Sequence, residues 1–561
     1  MSRLQRLLPF LNWPRPSAAL LRGELLAGLS VGLMVIPQGV AYAALAGMPL
    51  VTGIYASMLP ALVAVLFSAS TRLSVGPTAL TCLLVGASLT GLAEPGSARW
   101  IELAVWLSLL AGLLQVALGF MRFGWLLNLV SLPVLMAFTQ AAAVLIIASQ
   151  LPALLGLPEG WSGLAAAQNV HGTSALFGLA SLALLVMMRR WKPAFPTVLV
   201  LVLATASLSA WTGFAAGGGQ VVGALPQGLP VLYVPLLPSW ATLSQLVLPT
   251  LVITLVSFLE TASSAKVDNE RQGQRWNQDQ DLIGQGLGKI AAGLSGAFPT
   301  SSSFSRSALN LYAGARTGWA TVVSVAVVLL VLMFFTPVLR HVPRAVLAAI
   351  VLAAVIGLIK PREFMRLWRI APVEAVIAGM TFAVTLLAAP RLYWGVLTGV
   401  LMSLSHFLYQ RLHPRIIEVG LHADASLRDR HLWRLPPLAP HLYGLRMDAA
   451  LDFAAASGFE RAISEYLLAH PDTKHLCLFA QPMNRIDATG VEVFSKVASV
   501  LRQHGIMLHI SGMKLPTETA LRNAGELQAS PLLRMYRTDG EALAALARFE
   551  DLPADISGSA I

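Results

Sequence analysis

Charged side chains are scarce in this 561-residue chain: Asp, Glu, Lys and Arg make up 12% of it, whereas hydrophobic residues make up 56%. A soluble protein usually carries about 25% charged residues, so the composition excludes a wholly soluble fold and predicts a polytopic α-helical membrane protein. The formal net charge of +11 would suggest nucleic-acid binding in a soluble protein. In a membrane protein, basic cytoplasmic loops explain it better, so we expect no nucleic-acid partner.

Cysteine is almost absent as well. Cys82 and Cys477 are the only two, and they give neither a disulfide framework nor the spacing of metal ligands. The N-terminus lacks the pattern of a cleaved signal peptide. The membrane part offers no nucleophile–base pair, metal cluster or cofactor fingerprint, and no stretch resembles a nucleotide-binding loop. We therefore predict no enzyme, cofactor or metal, and we expect any transport to be driven by ion gradients or exchange.

Apolar runs follow one another from about residue 24 to residue 409, and about 20 residues suffice to cross a bilayer. We predict fourteen spans, near 24–46, 48–67, 73–92, 101–120, 126–150, 174–188, 196–213, 243–266, 282–297, 301–314, 318–337, 343–359, 373–389 and 391–409. Several are short or interrupted by proline and glycine. Breaks of this kind are typical of helices that line a cavity.

Basic residues indicate the orientation of these spans. With a cytoplasmic N-terminus, the inner loops hold Arg72, Arg122, Arg189, Arg190, Lys192, Lys266, Arg271, Arg275, Arg316, Lys360, Arg362, Arg366 and Arg369. The outer loops hold Arg99, Arg340, Arg344 and Arg391, and the pair in 338–345 runs against the rule. The asymmetry predicts a multi-pass protein of the cell inner (plasma) membrane with both termini in the cytoplasm.

The composition changes after residue 410. Strand-like and helix-like segments then alternate over 442–511, which indicates a small cytoplasmic α/β domain. The predicted domains are a cytoplasmic N-terminal segment over 1–23, a transport domain over 24–410, a proline-containing linker over 411–440, the α/β domain over 441–550 and a tail over 551–561.

The stretch 299–307 (PTSSSFSRS) lies at membrane depth and combines the features of an anion site. Pro299 suits the first turn of a helix, the serines supply hydroxyls, and Arg306 supplies a guanidinium near the positive end of the helix dipole. A charge at that depth should face a cavity or the bundle interior. The alternative is an interfacial helix cap with a snorkelling arginine.

A second stretch repeats this pattern. Pro77-Thr78 also opens a short apolar segment, 222 residues before Pro299 (299 − 77). Gln38 precedes Glu260 by the same 222 residues (260 − 38). Transporters built from two inverted repeats bring interrupted helices together at the bilayer midplane. The offset therefore predicts two repeats of about seven spans and a two-sided site.

Glu260 is the only acid in the apolar run 243–264, and its charge must be paired, solvated or protonated. We expect a proton carrier or a counter-charge to Arg306; the alternative is a structural pair or a hydrogen-bonded neutral acid. Gln38 follows Pro37, which frees backbone groups for a ligand, although an interhelical hydrogen bond is an equal alternative for its side chain. Tyr42, one turn later, either walls the same cavity or packs.

The chain resembles the sulfate permease (SulP) family of anion transporters, relatives of solute carrier family 26. The stretches that carry the resemblance are 35–43 (VIPQGVAYA), 73–79 (LSVGPTA), 298–310 (FPTSSSFSRSALN) and 486–491 (IDATGV). The resemblance implies fourteen transmembrane helices in two inverted seven-helix repeats, with uracil-permease-like core and gate subdomains and the anion between broken helices 3 and 10. It also implies a C-terminal STAS domain, a homodimer and an elevator-like movement.

Carried over by position, the family's substrate-binding residues fall on Gln38, Tyr42, Thr78, Ala79, Ser305, Arg306 and Ser307. Glu260 falls on the carboxylate associated with proton coupling. Ser264 occupies the place of the aspartate in sodium-coupled members, which favours protons. The residue before the glycine in STAS domains is a phosphorylation site, here Thr489; the alternative is that Thr489 caps the helix.

These observations favour proton-coupled uptake of a small anion, with sulfate preferred, by a protein embedded in the lipid bilayer. One alternative keeps the fold and changes the cargo to dicarboxylate, bicarbonate or chloride. Another is a non-transporting membrane scaffold or sensor that signals through the STAS domain to a cytoplasmic protein partner.

Overall fold

The computed structural model describes residues 8–157, 171–191, 195–226 and 228–548. The chain forms two compact units, Met1–Ser403 and Leu404–Ile561. The predicted tail over 551–561 lies outside the described residues.

The first unit is built from apolar helices. They are α1 (Ala18–Leu45), α2 (Leu50–Tyr55), α3 (Leu59–Phe67), α4 (Ala79–Leu89), α5 (Ala98–Phe120), α6 (Leu132–Leu154), α7 (Gly172–Trp191), α8 (Thr197–Trp211), α9 (Trp240–Arg271), α10 (Gln278–Leu294), α11 (Phe304–Tyr312), α12 (Trp319–Phe334), α13 (Thr336–Leu339), α14 (Arg344–Val355), α15 (Pro361–Ile370), α16 (Pro372–Leu387) and α17 (Tyr393–Leu412). Two short strands, β1 (Val75–Gly76) and β2 (Ser301–Ser302), precede α4 and α11.

Each of the fourteen predicted spans overlaps at least one of these helices, and the span 48–67 contains both α2 and α3. In the described part of the chain, seven helical segments are long and apolar enough to cross a membrane. Others are too short to cross as single helices; α4 has 11 residues and α11 has 9. Helices α4 and α11 are short because strands β1 and β2 occupy residues just before them. The number of crossings stays a prediction.

The helices of this unit pack in two groups. In the first, α5 packs along α10, α10 packs along α3, and α1 packs along α12. Glycines permit these close crossings: a Cβ on Gly112 of α5 would lie 2.7 Å from the carbonyl oxygen of Gly286 in α10. In the second group, α6 packs against α14 and α16, and α14 also packs against α7.

A buried carboxylate joins α1 to the start of α12. Glu24 is 1% exposed. Its Oε1 accepts hydrogen bonds from the backbone N–H groups of Arg316 and Thr317, each 2.9 Å long, and its Oε2 accepts one from the N–H of Ala320 at 2.9 Å. The first N–H groups of a helix have no partner inside that helix, and a negative charge is favourable there. Glu24 therefore acts as the cap of α12.

The second unit contains a six-stranded sheet. Its strands are β3 (Ile416–Leu421), β4 (Leu427–Asp429), β5 (Leu442–Met447), β6 (His475–Phe479), β7 (Met507–Ser511) and β8 (Leu533–Tyr536). The order across the sheet is β4-β3-β5-β6-β7-β8. Strand β3 is antiparallel to both neighbours, whereas β5 to β8 run parallel.

Helices cover both faces of this sheet. On one face, the apolar side chains of β5, β6 and β7 pack against α19 (Ala456–Ala469), α20 (Ala488–Gln503) and α21 (Leu515–Asn523). On the other, α22 (Asp539–Leu546) packs on Cys477 and Phe479. Side chains alternate between the faces of a strand. Leu476 and Leu478 of β6 therefore pack on one face of the sheet, and Cys477 and Phe479 pack on the other.

The stretch 411–440, predicted as a linker, contains structure of its own. Strands β3 and β4 and the short helix α18 (Arg430–Trp433) lie within it, and β3 pairs with β5 through Ile416 and Met447. The linker interpretation is corrected to this extent. The prolines of this stretch suggested a linker, but β3 has a regular alternation in which Ile417 and Val419 are buried.

Candidate functional site

Strands β1 and β2 bring the two broken helices of the first unit together. They pair antiparallel, with Val75 opposite Ser302 and Gly76 opposite Ser301. The backbone N–H of Ser303 also donates to the carbonyl oxygen of Ser74 at 3.0 Å. The two stretches that the sequence related by a constant offset are therefore in direct contact.

Hydroxyl side chains cap both helices. Thr78 caps α4 by accepting a hydrogen bond from the N–H of Thr81, and Ser303 caps α11 by accepting one from the N–H of Arg306. The prediction that Pro299 lies in the first helical turn is wrong, because α11 begins at Phe304. Ser301 and Ser302 are paired in β2, and this pairing moves the helix start five residues along the chain.

Arg306 is fully buried at the start of α11, with 0% of its surface exposed. Its Nε donates to Ser74 Oγ at 3.3 Å, and its Nη1 lies 3.4 Å from Gln38 Oε1. Its Nη2 is buried and has no hydrogen-bond partner among the described residues. The alternative of a snorkelling arginine is therefore wrong. An unsatisfied buried donor is costly, and an anionic oxygen is the partner that such a donor binds best.

Gly76 and Gln38 both lie beside this guanidinium. A Cβ on Gly76 would lie 3.3 Å from Arg306 Nη2, so glycine lets the guanidinium rest against strand β1. Gln38 is 4% exposed and lies in α1, which continues through Pro37. Its side chain forms an interhelical hydrogen bond to Arg306, and its contact with a ligand stays a prediction. Tyr42 lies one turn later on the same helix and is 5% exposed.

Glu260 approaches the same place from α9. Its Oε2 accepts hydrogen bonds from the hydroxyls of Thr78 and Thr81, each 3.0 Å long. The carboxylate therefore contacts the first turn of α4 rather than the guanidinium. The structure shows a hydrogen-bonded carboxyl group. The roles of Glu260 as a counter-charge to Arg306 and as a proton carrier stay predictions.

The other predicted residues have different surroundings. Ser307 is buried, and its Oγ accepts a hydrogen bond from the N–H of Ser74 at 3.0 Å. Ser305 is exposed, and its hydroxyl lies 3.3 Å from that of Ser303. Ala79 is half-buried and contributes only its backbone and a methyl group. The structure thus gathers Gln38, Tyr42, Thr78, Arg306, Ser307 and Glu260, and leaves Ser305 at the edge.

Sequence reasoning missed two residues at this site. Ser74 bonds α11 three times, through its N–H, carbonyl and hydroxyl groups. Lys289 in α10 is 0% exposed, and its Nζ donates to Gln115 Oε1 at 2.9 Å. A signal for Lys289 existed, since it is the only charged residue in the predicted span 282–297.

A second cluster of charges holds the loop before β1. Arg72 and Asp268 of α9 form a partly buried ion pair, and the carbonyl oxygen of Arg72 accepts a hydrogen bond from Asn310 of α11 at 2.8 Å. Asp281 of α10 accepts two hydrogen bonds from Ser70, one of 2.9 Å from its N–H and one of 2.6 Å from its hydroxyl. These contacts fix β1 relative to three helices, and so fix the geometry around Arg306.

In the second unit, Thr489 is exposed in the first turn of α20. The cap of this helix is Asp487, whose Oδ1 accepts from the N–H of Gly490 at 2.8 Å, while its Oδ2 accepts from the N–H of Phe453 at 2.9 Å. The interpretation of Thr489 as the helix cap is therefore wrong. Its phosphorylation stays a prediction.

Comparison with known proteins decides the family. The model described as the sulfate permease family matches residues 21–381, and the STAS domain model matches residues 439–542. The chain belongs to the sulfate permease family. A probable sulfate transporter of Mycobacterium tuberculosis is 33% identical to this family member over 517 residues, covering 90% of this chain and 92% of the relative. Probable sulfate transporter 4.2 of Arabidopsis thaliana is 31% identical over 568 residues, covering 96% and 82% respectively.

Solved structures show the fold of this sulfate permease family member. The murine Solute Carrier 26 family member A9 anion transporter, in the inward-facing state, aligns with a TM-score of 0.85 at 20% identity, over 98% of this chain and 94% of that chain. The transmembrane domain of a cyanobacterial bicarbonate transporter, BicA, aligns with a TM-score of 0.58 at 21% identity, over 69% of this chain and 98% of that one. The chain is thus a multi-pass membrane protein with a C-terminal STAS domain.

Proposed function

We propose that this protein is a secondary active transporter that carries sulfate into the cell together with protons. The anion is held between the N-termini of α4 and α11. The observation that carries the proposal is the buried Arg306, whose Nη2 lacks a partner among the described residues while two capped helix starts converge beside it. Helix N-termini and a guanidinium together favour a tetrahedral oxyanion.

Sulfate is the favoured cargo for two reasons. The relatives from Mycobacterium tuberculosis and Arabidopsis thaliana that cover most of this chain are named as probable sulfate transporters. Arg306, Gln38 and Tyr42 also carry several hydrogen-bond donors among them, which suits an anion with four equivalent oxygens. The substrate-binding set is proposed as Gln38, Tyr42, Thr78, Ala79, Ser305, Arg306 and Ser307.

Proton coupling is proposed for Glu260. It is the carboxylate beside the anion site, and its contacts to Thr78 and Thr81 connect its protonation to the helix start that faces the anion. When Glu260 takes a proton, it ceases to repel an arriving anion. The proton and the anion therefore favour each other's binding.

Movement is proposed to be elevator-like. The helices that carry the site, α1, α4, α9 and α11, belong to the group that packs around α5 and α10, while α6, α7, α14 and α16 form the other group. Relative displacement of two packed groups carries a site across the membrane without dismantling it.

We further propose plasma-membrane location, cytoplasmic termini, a homodimer, and a cytoplasmic protein partner for the STAS domain with Thr489 as its regulatory phosphorylation site. The domain limits given above are proposed with them, except for the corrected stretch 411–440.

Flux through the purified protein tests this function. Full-length protein in liposomes should take up labelled sulfate faster when the outside is more acidic than the inside. Unlabelled sulfate should compete better than oxalate, bicarbonate or chloride. A different winner in that panel would change the cargo, and absence of flux for every anion would favour a scaffold or sensor.

A further inference from the structure

Lys289 is a buried cation behind the proposed anion site. It lies in α10 with 0% of its surface exposed, and its ammonium donates a 2.9 Å hydrogen bond to Gln115 Oε1. An ammonium at membrane depth is costly and marks a functional position by default. A neutral glutamine on the same helix, Gln285, also forms a buried hydrogen bond, so a buried polar contact of this helix does not require a charge.

A short chain of hydrogen bonds connects Lys289 to the site. Gln115, which accepts from Lys289, donates its Nε2 to Ser257 Oγ at 3.2 Å. Ser257 lies one turn before Glu260 in α9, and its carbonyl oxygen accepts from the Ser301 hydroxyl of β2 at 2.9 Å. Lys289 thus lies behind both the carboxylate and the broken helix, without touching the place of the anion.

The charges around the site form a small set. The hydrogen bonds through Gln115 and Ser257 join Lys289 to the helix that carries Glu260, and the Ser301 hydroxyl joins that helix to the strand before Arg306. The remaining titratable neighbours, the Tyr42 phenol and the Cys82 thiol, are both buried. With all three charged groups ionised, the site carries two positive charges and one negative charge.

We propose that Lys289 is a positioning residue that supplies the second positive charge required to carry a divalent oxyanion. This inference rests on the proposed function. Arg306 and Lys289 together balance the charge of a dianion such as sulfate when Glu260 is protonated, so the loaded site is neutral. Without the Lys289 charge, the same loaded site keeps one net negative charge, which is costly at membrane depth.

The same count of charges predicts which anions the site accepts. With Lys289, a dianion travels with one proton on Glu260, and a monovalent anion forms a neutral site only when Glu260 is ionised. Without the Lys289 charge, no protonation state of Glu260 neutralises a bound dianion, whereas a monovalent anion with protonated Glu260 does form a neutral site. Loss of this lysine charge should therefore shift transport from divalent to monovalent anions and make monovalent transport proton-dependent.

The test compares labelled sulfate and labelled chloride uptake by full-length variants in liposomes. Lys289→Gln should lower the ratio of sulfate to chloride uptake by about tenfold or more, whereas Lys289→Arg should keep it. Lys266→Gln, at an exposed lysine near the end of α9, is the matched control. Gln115→Glu preserves an acceptor for Lys289 but cancels its charge, and it should reproduce the shift if Lys289→Gln fails to fold.

An unchanged ratio in folded Lys289→Gln and Gln115→Glu would overturn the inference while leaving wild-type sulfate transport intact. An equal loss of both anions in these variants would also overturn it, because a structural role predicts that result. Wild-type liposomes that take up chloride but no divalent anion would instead overturn the proposed function, and the inference with it.

Discussion

Thr78 and Glu260 are 182 positions apart in the sequence, yet the Thr78 hydroxyl donates a 3.0 Å hydrogen bond to Glu260 Oε2. The same hydroxyl oxygen accepts the N–H of Thr81 and so caps α4. One side chain therefore touches both the proposed proton site and the helix start that faces the proposed anion. This connection makes the coupling of the two sites testable.

Replacing Glu260 by Gln should abolish the acceleration of sulfate uptake by an inward-acid gradient. The amide keeps the size of the side chain and one hydrogen-bond acceptor, but it cannot gain or lose a proton. Uptake should continue at a rate that no longer changes with external pH. Glu270→Gln, at an exposed position of the same helix, should retain the wild-type pH dependence. A pH-dependent Glu260→Gln variant would remove Glu260 from the coupling role.

Replacing Arg306 by Lys should lower the apparent affinity for sulfate by about tenfold or more, since an ammonium lacks the planar fork of donors that matches an oxyanion. Loss of the contacts with Ser74 and Gln38 adds to this effect. The measurement is the concentration dependence of initial uptake in liposomes. Arg316→Lys is the control, because Arg316 is exposed and only its backbone contacts Glu24. Equal apparent affinities in the two variants would argue against anion contact.

Two neighbouring serines should behave differently. Ser307→Ala leaves the buried N–H of Ser74 without an acceptor, which costs about 1–3 kcal/mol, so the melting temperature in detergent should fall and uptake should fall with it. Ser305→Ala removes an exposed hydroxyl that contacts only Ser303 among the described residues, and it should melt like the wild type. A Ser305→Ala variant that melts normally but loses sulfate affinity would identify a direct contact with the anion.

The sequence located most of this site because each polar residue interrupts an apolar run. Glu260, Gln38 and Arg306 are conspicuous for that reason, and the constant offset paired their two stretches. The sequence could not decide between Ser305 and Ser307, because the face on which a hydroxyl lies depends on where α11 begins. That start follows from the pairing of Ser301 with Gly76, a contact between distant parts of the chain.

Glu24 should contribute to stability rather than to transport. In Glu24→Gln, the amide nitrogen cannot accept from an N–H, so at least one donor at the start of α12 loses its partner, at a cost of about 1–3 kcal/mol. The expected result is a lower melting temperature with unchanged apparent sulfate affinity. Glu94→Gln, in an exposed turn, provides the comparison. A change in affinity at unchanged stability would contradict the capping role.

The second unit should become less stable in mild acid through His509. Burial, with further contributions from His475 and Arg534, lowers the pKa of His509 from its ordinary value of 6.5 to about 4. The unfolded state therefore binds a proton that the folded state does not, and stability is lost as the pH falls from about 6.5 towards 4.

Hydrogen exchange of strand β7 in the full-length protein measures this effect. After correction for the intrinsic exchange rate, protection should be lower at pH 5 than at pH 7, and the difference should shrink in His509→Gln. His504→Gln, at an exposed position, should keep the wild-type difference. Protection that is equal at both pH values in the wild type would show that His509 does not govern the acid stability of this strand.

Residues 411–440 show a second limit of sequence reasoning. Prolines 414, 436, 437 and 440 made this stretch resemble a linker, although the apolar Ile417 and Val419 are buried on either side of the less buried Glu418. A three-residue alternation is too short to distinguish a strand from a connecting segment without its partner. The partner, β5, lies more than twenty residues further along the chain.

Direct binding of sulfate to the purified protein tests the central claim, that the anion occupies the space beside Arg306 where α4 and α11 begin. Titration calorimetry in detergent should give saturable sulfate binding for the wild type and for Arg316→Ala. Arg306→Ala should show no measurable binding while eluting as a monodisperse protein. Sulfate binding of equal affinity in folded Arg306→Ala and in the wild type would contradict the account.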